Sequence, residues 1–290
     1  MDATNRTEVR PDDIDAAEQP GRTNDAMGDL ILKFREPAID LCIGAAGLIV
    51  GIAAWHFVTA NKINLFVNFG NVPPPLPVLE AFLQHVQDPT FYHHIGVSIR
   101  RVGIGFLLAS IAGIVLGTLM GRMRIARALV SPYIEILRPI PAVAWIPLAI
   151  LMWPSDESSI IFITFLGALF PIVVNTMHGV DHTPEVLVRA ADSLGASPFQ
   201  VFRHVIFPAA LPSIVAGLAI GMGVSWFSLL AGEIISGQYG IGYFTWNAYS
   251  LIIYPDIVVG MLVIGFLGTV STYVVRLMAA PLLNWQKKRR

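Results

Sequence analysis

Six stretches of this chain carry few or no charged side chains, and this feature constrains the possible fold more than any other. A helix rises about 1.5 Å per residue, so roughly 20 residues cross a hydrocarbon core about 30 Å thick. The stretches have suitable lengths: residues 41–60, 102–121, 139–155, 158–180, about 207–232 and 257–275. The sequence therefore predicts an all-α integral membrane protein with about six transmembrane helices.

The third stretch has the least defined boundary of the six. It is short and begins with Pro139 and Pro141, and proline interrupts helices. The amphipathic residues before it are a candidate part of the same helix.

The amino-acid composition agrees with a membrane location. Hydrophobic residues make up 54% of the chain and charged residues 13%, which is more apolar surface than a soluble core of this size holds, so part of that surface must meet lipid. Lys and Arg number 19 against 20 Asp and Glu. Without a basic excess, a nucleic-acid partner is not expected.

The chain divides into a polar tail, residues 1–36, and a membrane domain, residues 37–290. The tail lacks the basic start and short apolar run of a secretory signal, and its composition predicts disorder. Basic residues in short connections are retained in the cytoplasm, so their positions predict which side each connection occupies. One side collects Lys33, Arg35, Arg122, Arg124, Arg127, Arg138, Arg189, Arg203, Lys287, Lys288, Arg289 and Arg290. We therefore expect both termini to be cytoplasmic.

Three basic residues fall on the opposite side: Lys62, Arg100 and Arg101. The Arg100–Arg101 pair, just before the second stretch, runs against the charge rule. Long basic side chains can extend to the membrane interface, and this snorkelling is the simplest interpretation of the pair.

The second stretch also contains glycines at a regular spacing, Gly113, Gly117 and Gly121. Small residues four apart let two membrane helices approach closely. We expect helix packing from this pattern and no further role.

The connection between the fourth and fifth stretches, about residues 181–207, has a pattern of its own. Leu187, Ala190, Ala191 and Leu194 fall on one stripe of a short helix, and charged residues occupy the rest of its surface. Gly195 then ends that helix. Ser197 is a natural N-cap, with Pro198 at the first helical position and Gln200 where a capping box requires Glu or Gln. The pattern predicts a helix, a glycine turn and a second helix, which together form a compact knob.

This connection resembles the cytoplasmic coupling loop of ABC importer permeases, whose pattern reads Glu-Ala-Ala, three residues, Gly, nine residues, Ile, one residue, Leu-Pro. Ala190, Ala191, Gly195 and Pro208 fit the spacing. The chain departs from the pattern with Arg189 at the glutamate, Val205 at the isoleucine and Phe207 at the leucine. Because Arg189 reverses a charge, an ion pair from that position is in doubt.

The resemblance extends over roughly residues 75–280. Residues 138–148, 170–176, 231–233 and 240–242 are similar to the branch of these permeases that handles nitrate, sulfonate, taurine and bicarbonate. The resemblance implies a type I ABC importer permease fold with cytoplasmic coupling helices, in the bacterial inner membrane. It also implies that the chain forms a translocation pathway for a small solute, an oxyanion such as nitrate, sulfonate, taurine or bicarbonate. The coupling contacts would come from Glu185, Arg189, Ala190, Ala191, Asp192, Gly195, Ala196, Ser197 and Pro198.

The partners that the resemblance implies are a second copy of this chain, two ATP-binding-cassette subunits, and a periplasmic or lipid-anchored substrate-binding protein. The chain has no Gly-x-x-x-x-Gly-Lys-Ser/Thr phosphate loop and no Gly-Lys pair. ATP and Mg²⁺ are therefore expected on the partner ATPase. For this subunit we expect transport without catalysis, and no bound cofactor or metal.

Four residues of the fifth stretch are candidates for the translocation pathway. Glu233 is a carboxylate in or near the membrane, and such groups usually face a cavity or a charged partner. Its position near the outer end of the stretch offers interfacial solvation as the competing explanation. Met222, Trp226 and Ser228 precede it and could line a central path, with packing as their alternative role.

Two other classes of protein compete with the importer permease. A secondary transporter or channel would need no ATPase, but the stretches show neither buried charge pairs nor an inverted repeat of broken helices. A membrane-embedded enzyme would place clusters of His, Asp or Glu inside the spans, where Glu233 stands alone. Neither class explains the knob at residues 181–207.

Overall fold

The computed structural model describes residues 22–62 and 69–283, and these residues form helices without β-strands. Eleven α-helices follow one another along the described chain. They are α1 Arg22–Ala60, α2 Pro75–His85, α3 Pro89–Arg122, α4 Arg124–Leu137, α5 Ile146–Met152, α6 Asp156–Asp181, α7 Glu185–Ser193, α8 Pro198–Val201, α9 Phe207–Ser236, α10 Ile241–Ser250 and α11 Tyr254–Ala279.

The predicted set of membrane spans is confirmed. Five segments are long and apolar enough to cross a bilayer: Cys42–Ala60, Pro89–Arg122, Asp156–Asp181, Pro198–Ile235 and Tyr254–Leu283. A sixth is formed when α4 is taken together with Ala142–Met152, and these two pieces are bent by 89°. This bent pair is a broken span or a re-entrant loop, and α4 does not continue straight into Ala142–Met152. Pro139 and Pro141 lie at the break, where they disfavour a continuous helix.

Helix α1 overlaps the end of the predicted tail, whose boundary stays a prediction. It begins at Arg22, so residues 22–36 are helical, while residues 1–21 lie outside the described part of the chain. Most of the α1 span is exposed. One bond that attaches it to the rest of the protein is donated by Trp55 Nε1 to the carbonyl oxygen of Pro73, at 3.1 Å.

Helices α3, α6 and α9 form the centre of the fold. The glycines of α3 face α6, as their spacing predicts. A Cβ atom on Gly117 would lie 2.6 Å from Cβ of Thr176, and Gly113 and Gly121 meet α6 at similarly short distances. A side chain at these positions would separate the helices, so close packing explains the pattern.

Side-chain caps mark the starts of two of the long helices. Asp88 Oδ1 accepts a hydrogen bond from the Thr90 amide at 2.8 Å, at the start of α3. Ser155 Oγ accepts from the Ser158 amide at 3.2 Å, at the start of α6. Each cap satisfies an amide that has no partner within its own helix. Both starts lie at the end of the spans opposite to the short helices α7 and α8.

Candidate coupling surface and translocation pathway

The connection between α6 and α9 has the predicted helix, turn and helix. At the end of α7 the Ala196 amide donates to Ala191 O at 3.1 Å, and the Gly195 amide donates to Asp192 O at 3.0 Å. This pair of bonds is the Schellman motif, which requires a left-handed residue after the helix. Gly195 has φ +77°. Glycine adopts this conformation without the strain that a Cβ atom would add.

The start of α8 is the predicted capping box. The Gln200 amide donates to Ser197 Oγ at 3.4 Å, and the Ser197 amide donates to Gln200 Oε1 at 2.8 Å. Pro198 occupies the first turn, where its missing N–H leaves no bond unmade. The two short helices are therefore fixed at a sharp corner by local interactions.

One face of this knob is anchored to the membrane domain. Val188 and Ala191 of α7 pack against a buried cluster that includes Val180, Val201 and Ile206. The knob is thus attached to the ends of both α6 and α9. A force on the knob would act on two central helices of the fold.

The opposite face of the knob is apolar and exposed. Leu194 is 89% exposed and lies between the span that ends at Asp181 and the span that begins at Pro198, while Phe199, at the start of the latter, is 68% exposed. Val186, Leu187 and Ala190 are also exposed. Of the stripe seen in the sequence, only Ala191 packs inward, and the other three residues point away from the fold. Sequence reasoning omitted Val186 and Phe199, although large apolar side chains in the connection between the predicted spans were a usable signal.

The polar residues of α7 are solvent-exposed. Arg189 and Glu185 form an ion pair one turn apart, and pairs of this kind contribute about 0.3–0.5 kcal/mol. The arginine that replaces the family's glutamate therefore has a partner within its own helix. Asp192, Ala196, Ser197 and Pro198 complete the predicted set around the turn, and Ala196 is partly buried against the anchoring cluster.

At the far end of the membrane domain, Glu233 lies in a buried polar network. Its Oε1 atom accepts from Arg101 Nη1 at 2.9 Å and from Ser98 Oγ at 2.8 Å. Its Oε2 atom accepts from the Gly242 amide at 2.9 Å. The side chain of Glu233 is completely buried, so interfacial solvation does not explain this carboxylate.

Arg101 connects Glu233 to a second carboxylate. Its Nε and Nη2 atoms donate to Glu157 Oε2 at 2.8 and 2.7 Å, and Nη1 also donates to Tyr239 O at 2.6 Å. Arg101 is only 5% exposed. The snorkelling interpretation is therefore wrong for Arg101, because this side chain points into the protein. The expectation that the spans lack buried charge pairs is also wrong.

Arg100 behaves differently from its neighbour. Its Nη2 atom lies 2.6 Å from Glu157 Oε1, but its side chain is mostly exposed. Sequence reasoning missed the partner role of Arg101. The adjacent basic pair gave no signal of which arginine faces inward.

The chain that follows α9 folds closely over Glu233. Gly240 has φ +125°, and a Cβ atom there would lie 2.2 Å from the Glu233 carboxylate. The Ile241 amide donates to Ser98 Oγ at 2.9 Å. The glycines at 240 and 242 therefore allow the start of α10 to approach the carboxylate and donate to the network. The network joins α3, α6, α9 and α10.

The other three pathway candidates are also buried within the single chain. Met222 and Trp226 belong to one apolar cluster, and Trp226 Nε1 donates to Ser271 Oγ at 3.2 Å. Ser228 lies against Gly167, where a Cβ atom would be 2.2 Å from the Ser228 hydroxyl. In this structure all four candidates contact other helices of the same chain. Their role in the pathway stays a prediction.

Comparison with known proteins places the chain in a family. The family model described as binding-protein-dependent transport system inner membrane component matches residues 109–284. The bicarbonate transport system permease protein CmpB of Synechococcus elongatus is 38% identical over 260 residues, covering 85% of this chain and 91% of the relative. The nitrate import permease protein NrtB of Synechocystis is 35% identical over 233 residues, 77% of this chain and 82% of the relative.

A further relative is the taurine transport system permease protein TauC of Escherichia coli. It is 32% identical over 271 residues, which cover 90% of this chain and 96% of TauC. The alignment with a solved structure, the MetNI methionine ABC transporter in inward-facing conformations, has a TM-score of 0.49 and 19% identity over 72% of this chain and 98% of that chain.

The family match and the named relatives favour the importer permease over a secondary transporter or channel. They agree with the several apolar helices of a multi-pass membrane protein. The chain belongs to the family of binding-protein-dependent transport system inner membrane components and is a permease subunit of an ABC importer.

Proposed function

We propose that two copies of this chain form the translocation pathway of an importer for a small oxyanion such as nitrate, a sulfonate, taurine or bicarbonate. Support for this substrate class comes from the names of the relatives, which are permeases for nitrate, taurine and bicarbonate. Two ATP-binding-cassette subunits hold the ATP and Mg²⁺, and a periplasmic or lipid-anchored binding protein delivers the substrate. The chain itself contributes no catalytic group.

We also propose an orientation in the bacterial inner membrane, with both termini and the knob in the cytoplasm. The knob lies at the same end of the spans as Arg122, the last residue of α3, and Arg124, the first residue of α4. Arg127 lies there too, and its Nη2 atom forms a 2.7 Å ion pair with Asp181 at the end of α6. A high density of basic residues is typical of the cytoplasmic side.

The observation that carries the proposal is the exposed apolar face of the knob. Leu194, Val186 and Leu187 lie outside the candidate spans and expose large apolar side chains, which is unfavourable in water unless a partner covers them. A rigid apolar projection suits insertion into a cleft on another protein. The opposite face is packed against the ends of α6 and α9, so the knob can transmit motion of that partner to the central helices.

The mechanism follows from this arrangement. ATP binding closes the cassette dimer and moves the two knobs that it holds. Because each knob is joined to α6 and α9, the movement tilts these helices and exchanges inward-open and outward-open states. Substrate released by the binding protein then passes between the two copies.

The test is co-purification of this chain with its ATP-binding-cassette partner in detergent, followed by ATPase and transport measurements in liposomes. We expect Leu194→Glu to weaken association and coupled turnover at least about tenfold, because a charge would be buried in the docking cleft. Leu194→Met keeps an apolar side chain at the same position and is the matched control. Gly195→Glu, which strains the turn, should behave like Leu194→Glu.

Membrane insertion of each variant is checked by its yield and its elution in size-exclusion chromatography. Normal association by Leu194→Glu would show that the knob is not the docking element. If the wild-type chain bound no ATPase and still moved solute, the importer mechanism itself would be wrong for this protein.

A further inference from the structure

A cavity of about 340 Å³ opens beside α6 and α9, between the knob and the Glu233 network. Its walls include the break between α4 and α5, the α6 segment from Leu166 to Asn175, and Ile220 and Val224 of α9. Leu166 lies nine residues along α6 from Glu157, or roughly 14 Å at about 1.5 Å per residue. The cavity thus lies beside the middle of α6 and α9.

Most of the cavity wall is apolar, and its polar side chains are those of Arg138, Trp145 and Asn175. Arg138 is exposed and contributes a guanidinium, which cannot accept a hydrogen bond. Asn175 Nδ2 donates one hydrogen bond to Pro171 O at 2.8 Å and carries a second hydrogen, while its Oδ1 atom is an acceptor. Trp145 Nε1 is buried and has no hydrogen-bond partner among the described residues. The charge of Arg138 favours an anion over a cation.

The positive charge of Arg138 has no ion-pair partner in the described part of the chain. Arg101 and Arg127 each lie within 3 Å of a carboxylate oxygen, whereas Arg138 forms no ion pair with any described residue. Glu135 lines the adjacent small cavity together with Arg138, yet the two are not paired. Arg138 is exposed and its guanidinium is always ionised, so an anion that enters the cavity meets a positive charge without an ion-pair partner.

We propose that Arg138 and Asn175 form an oxyanion subsite on the translocation pathway. The guanidinium presents two parallel N–H groups that match two oxygens of a nitrate, bicarbonate or sulfonate group. The second hydrogen of Asn175 Nδ2 offers a further donor. This inference rests on the proposed import of an oxyanion and names the residues that recognise it.

The first test measures uptake by the full transporter, with its ATPase and binding protein, of ¹⁵N-nitrate, ¹⁴C-bicarbonate and ¹⁴C-taurine in parallel. For the anion that the wild type carries, Arg138→Gln should lower the uptake rate at least about tenfold, the effect typical of losing a charged hydrogen-bonding partner. Arg138→Lys should retain an intermediate rate. Arg124→Gln removes an exposed charge from α4, the helix that ends just before Arg138, and should transport like the wild type.

Cysteine chemistry separates a role in binding from a role in folding. Cys42 is the only cysteine in the sequence, so Cys42→Ser provides a clean background for Arg138→Cys. Modification with aminoethyl methanethiosulfonate restores a positive charge at position 138 and should restore uptake. Modification with methyl methanethiosulfonate adds an uncharged group of smaller size and should not.

Different results identify different failures. Wild-type uptake of one anion with an unchanged rate in Arg138→Gln overturns the subsite and leaves the importer function intact. Absence of uptake for all three anions, with binding-protein-stimulated ATPase activity retained, overturns the proposed substrate class and the subsite together. Loss of complex assembly in both Arg138→Gln and Arg138→Lys, with no rescue by the cationic reagent, assigns Arg138 a structural role and overturns the subsite.

The oxygen atoms of a lipid phosphate could bind the Arg138 guanidinium in the same way as those of a transported oxyanion. Vesicles of phosphatidylcholine alone, compared with vesicles that also contain phosphatidylglycerol, distinguish this source from the transported anion. We expect the defect of Arg138→Gln to be the same in both. A defect that appears only with phosphatidylglycerol would show that Arg138 binds a lipid headgroup, and would overturn the subsite.

Discussion

Nη1 of Arg101 lies 2.9 Å from Oε1 of Glu233, inside the protein and between two helices that are far apart in sequence. Arg101 belongs to α3 and Glu233 to α9. The same carboxylate accepts from the Gly242 amide at 2.9 Å, so one ion pair also fixes the start of α10. Because each partner has further hydrogen bonds, the buried charges are compensated on all sides.

Removing one side of this pair should destabilise the protein strongly. We expect Glu233→Ala to lower the free energy of unfolding by ~3–5 kcal/mol, since Arg101 would keep a buried charge with one carboxylate fewer. The measurement is unfolding of the purified complex in detergent. Arg100→Ala is the matched control, because Arg100 pairs with Glu157 at an exposed position and should change stability by no more than about 1 kcal/mol. Equal losses in the two variants would contradict a special role for the buried pair.

The glycine that covers Glu233 should tolerate no side chain. Gly240→Ala places a Cβ atom 2.2 Å from the carboxylate, on a backbone with φ +125°. Strain of this kind is worth of order 1–3 kcal/mol, so we expect a lower thermal unfolding midpoint. Gly223→Ala serves as control, since a Cβ atom there meets nothing within 4 Å and alanine favours the helix by about 0.5–1 kcal/mol. An unchanged midpoint for Gly240→Ala would show that the loop can move away from Glu233.

The glycine stripe of α3 gives a third comparison. In Gly117→Ala the new Cβ atom would lie 2.6 Å from both Cβ of Thr176 and the carbonyl oxygen of Val173. The backbone oxygen cannot rotate away, so α3 and α6 must separate, at a cost of typically 1–3 kcal/mol. Gly103→Ala lies on the same helix with no neighbour within 4 Å. We expect Gly117→Ala to reduce the yield and the thermal stability, and Gly103→Ala to leave both unchanged. A similar loss in Gly103→Ala would contradict the packing explanation.

Local features of this protein could be predicted from its sequence because local physics determines them. The spans follow from the length of apolar runs, and the Schellman turn and the capping box follow from Gly195 and from Ser197 with Gln200. Each depends on residues a few positions apart. The direction of α4 could not be predicted from local patterns, because α4 and Ala142–Met152 are bent by 89° at the break that contains Pro139 and Pro141.

The buried network could not be predicted because it depends on tertiary structure. Arg101 and Glu233 are separated by 132 positions, and no periodic pattern connects them. When the neighbouring helices are unknown, the side chain of an arginine just before a span could lie at the membrane interface or in the interior of the protein. The cavity beside Arg138 has the same origin, since its wall combines α6, α9 and the break after α4.

The turn between α7 and α8 offers a graded test of coupling. Gly195 has φ +77° with open space around the position of a Cβ atom, so a substitution there acts through backbone strain and not through a clash. Asparagine tolerates the left-handed region best among residues with a side chain, alanine less well and β-branched valine least. We expect binding-protein-stimulated ATPase activity and uptake to fall in the order glycine, asparagine, alanine, valine. Thermal stability of the membrane domain should change little, because the turn lies outside the helix core. Full activity of Gly195→Val would show that the angle between the two helices does not matter for transport.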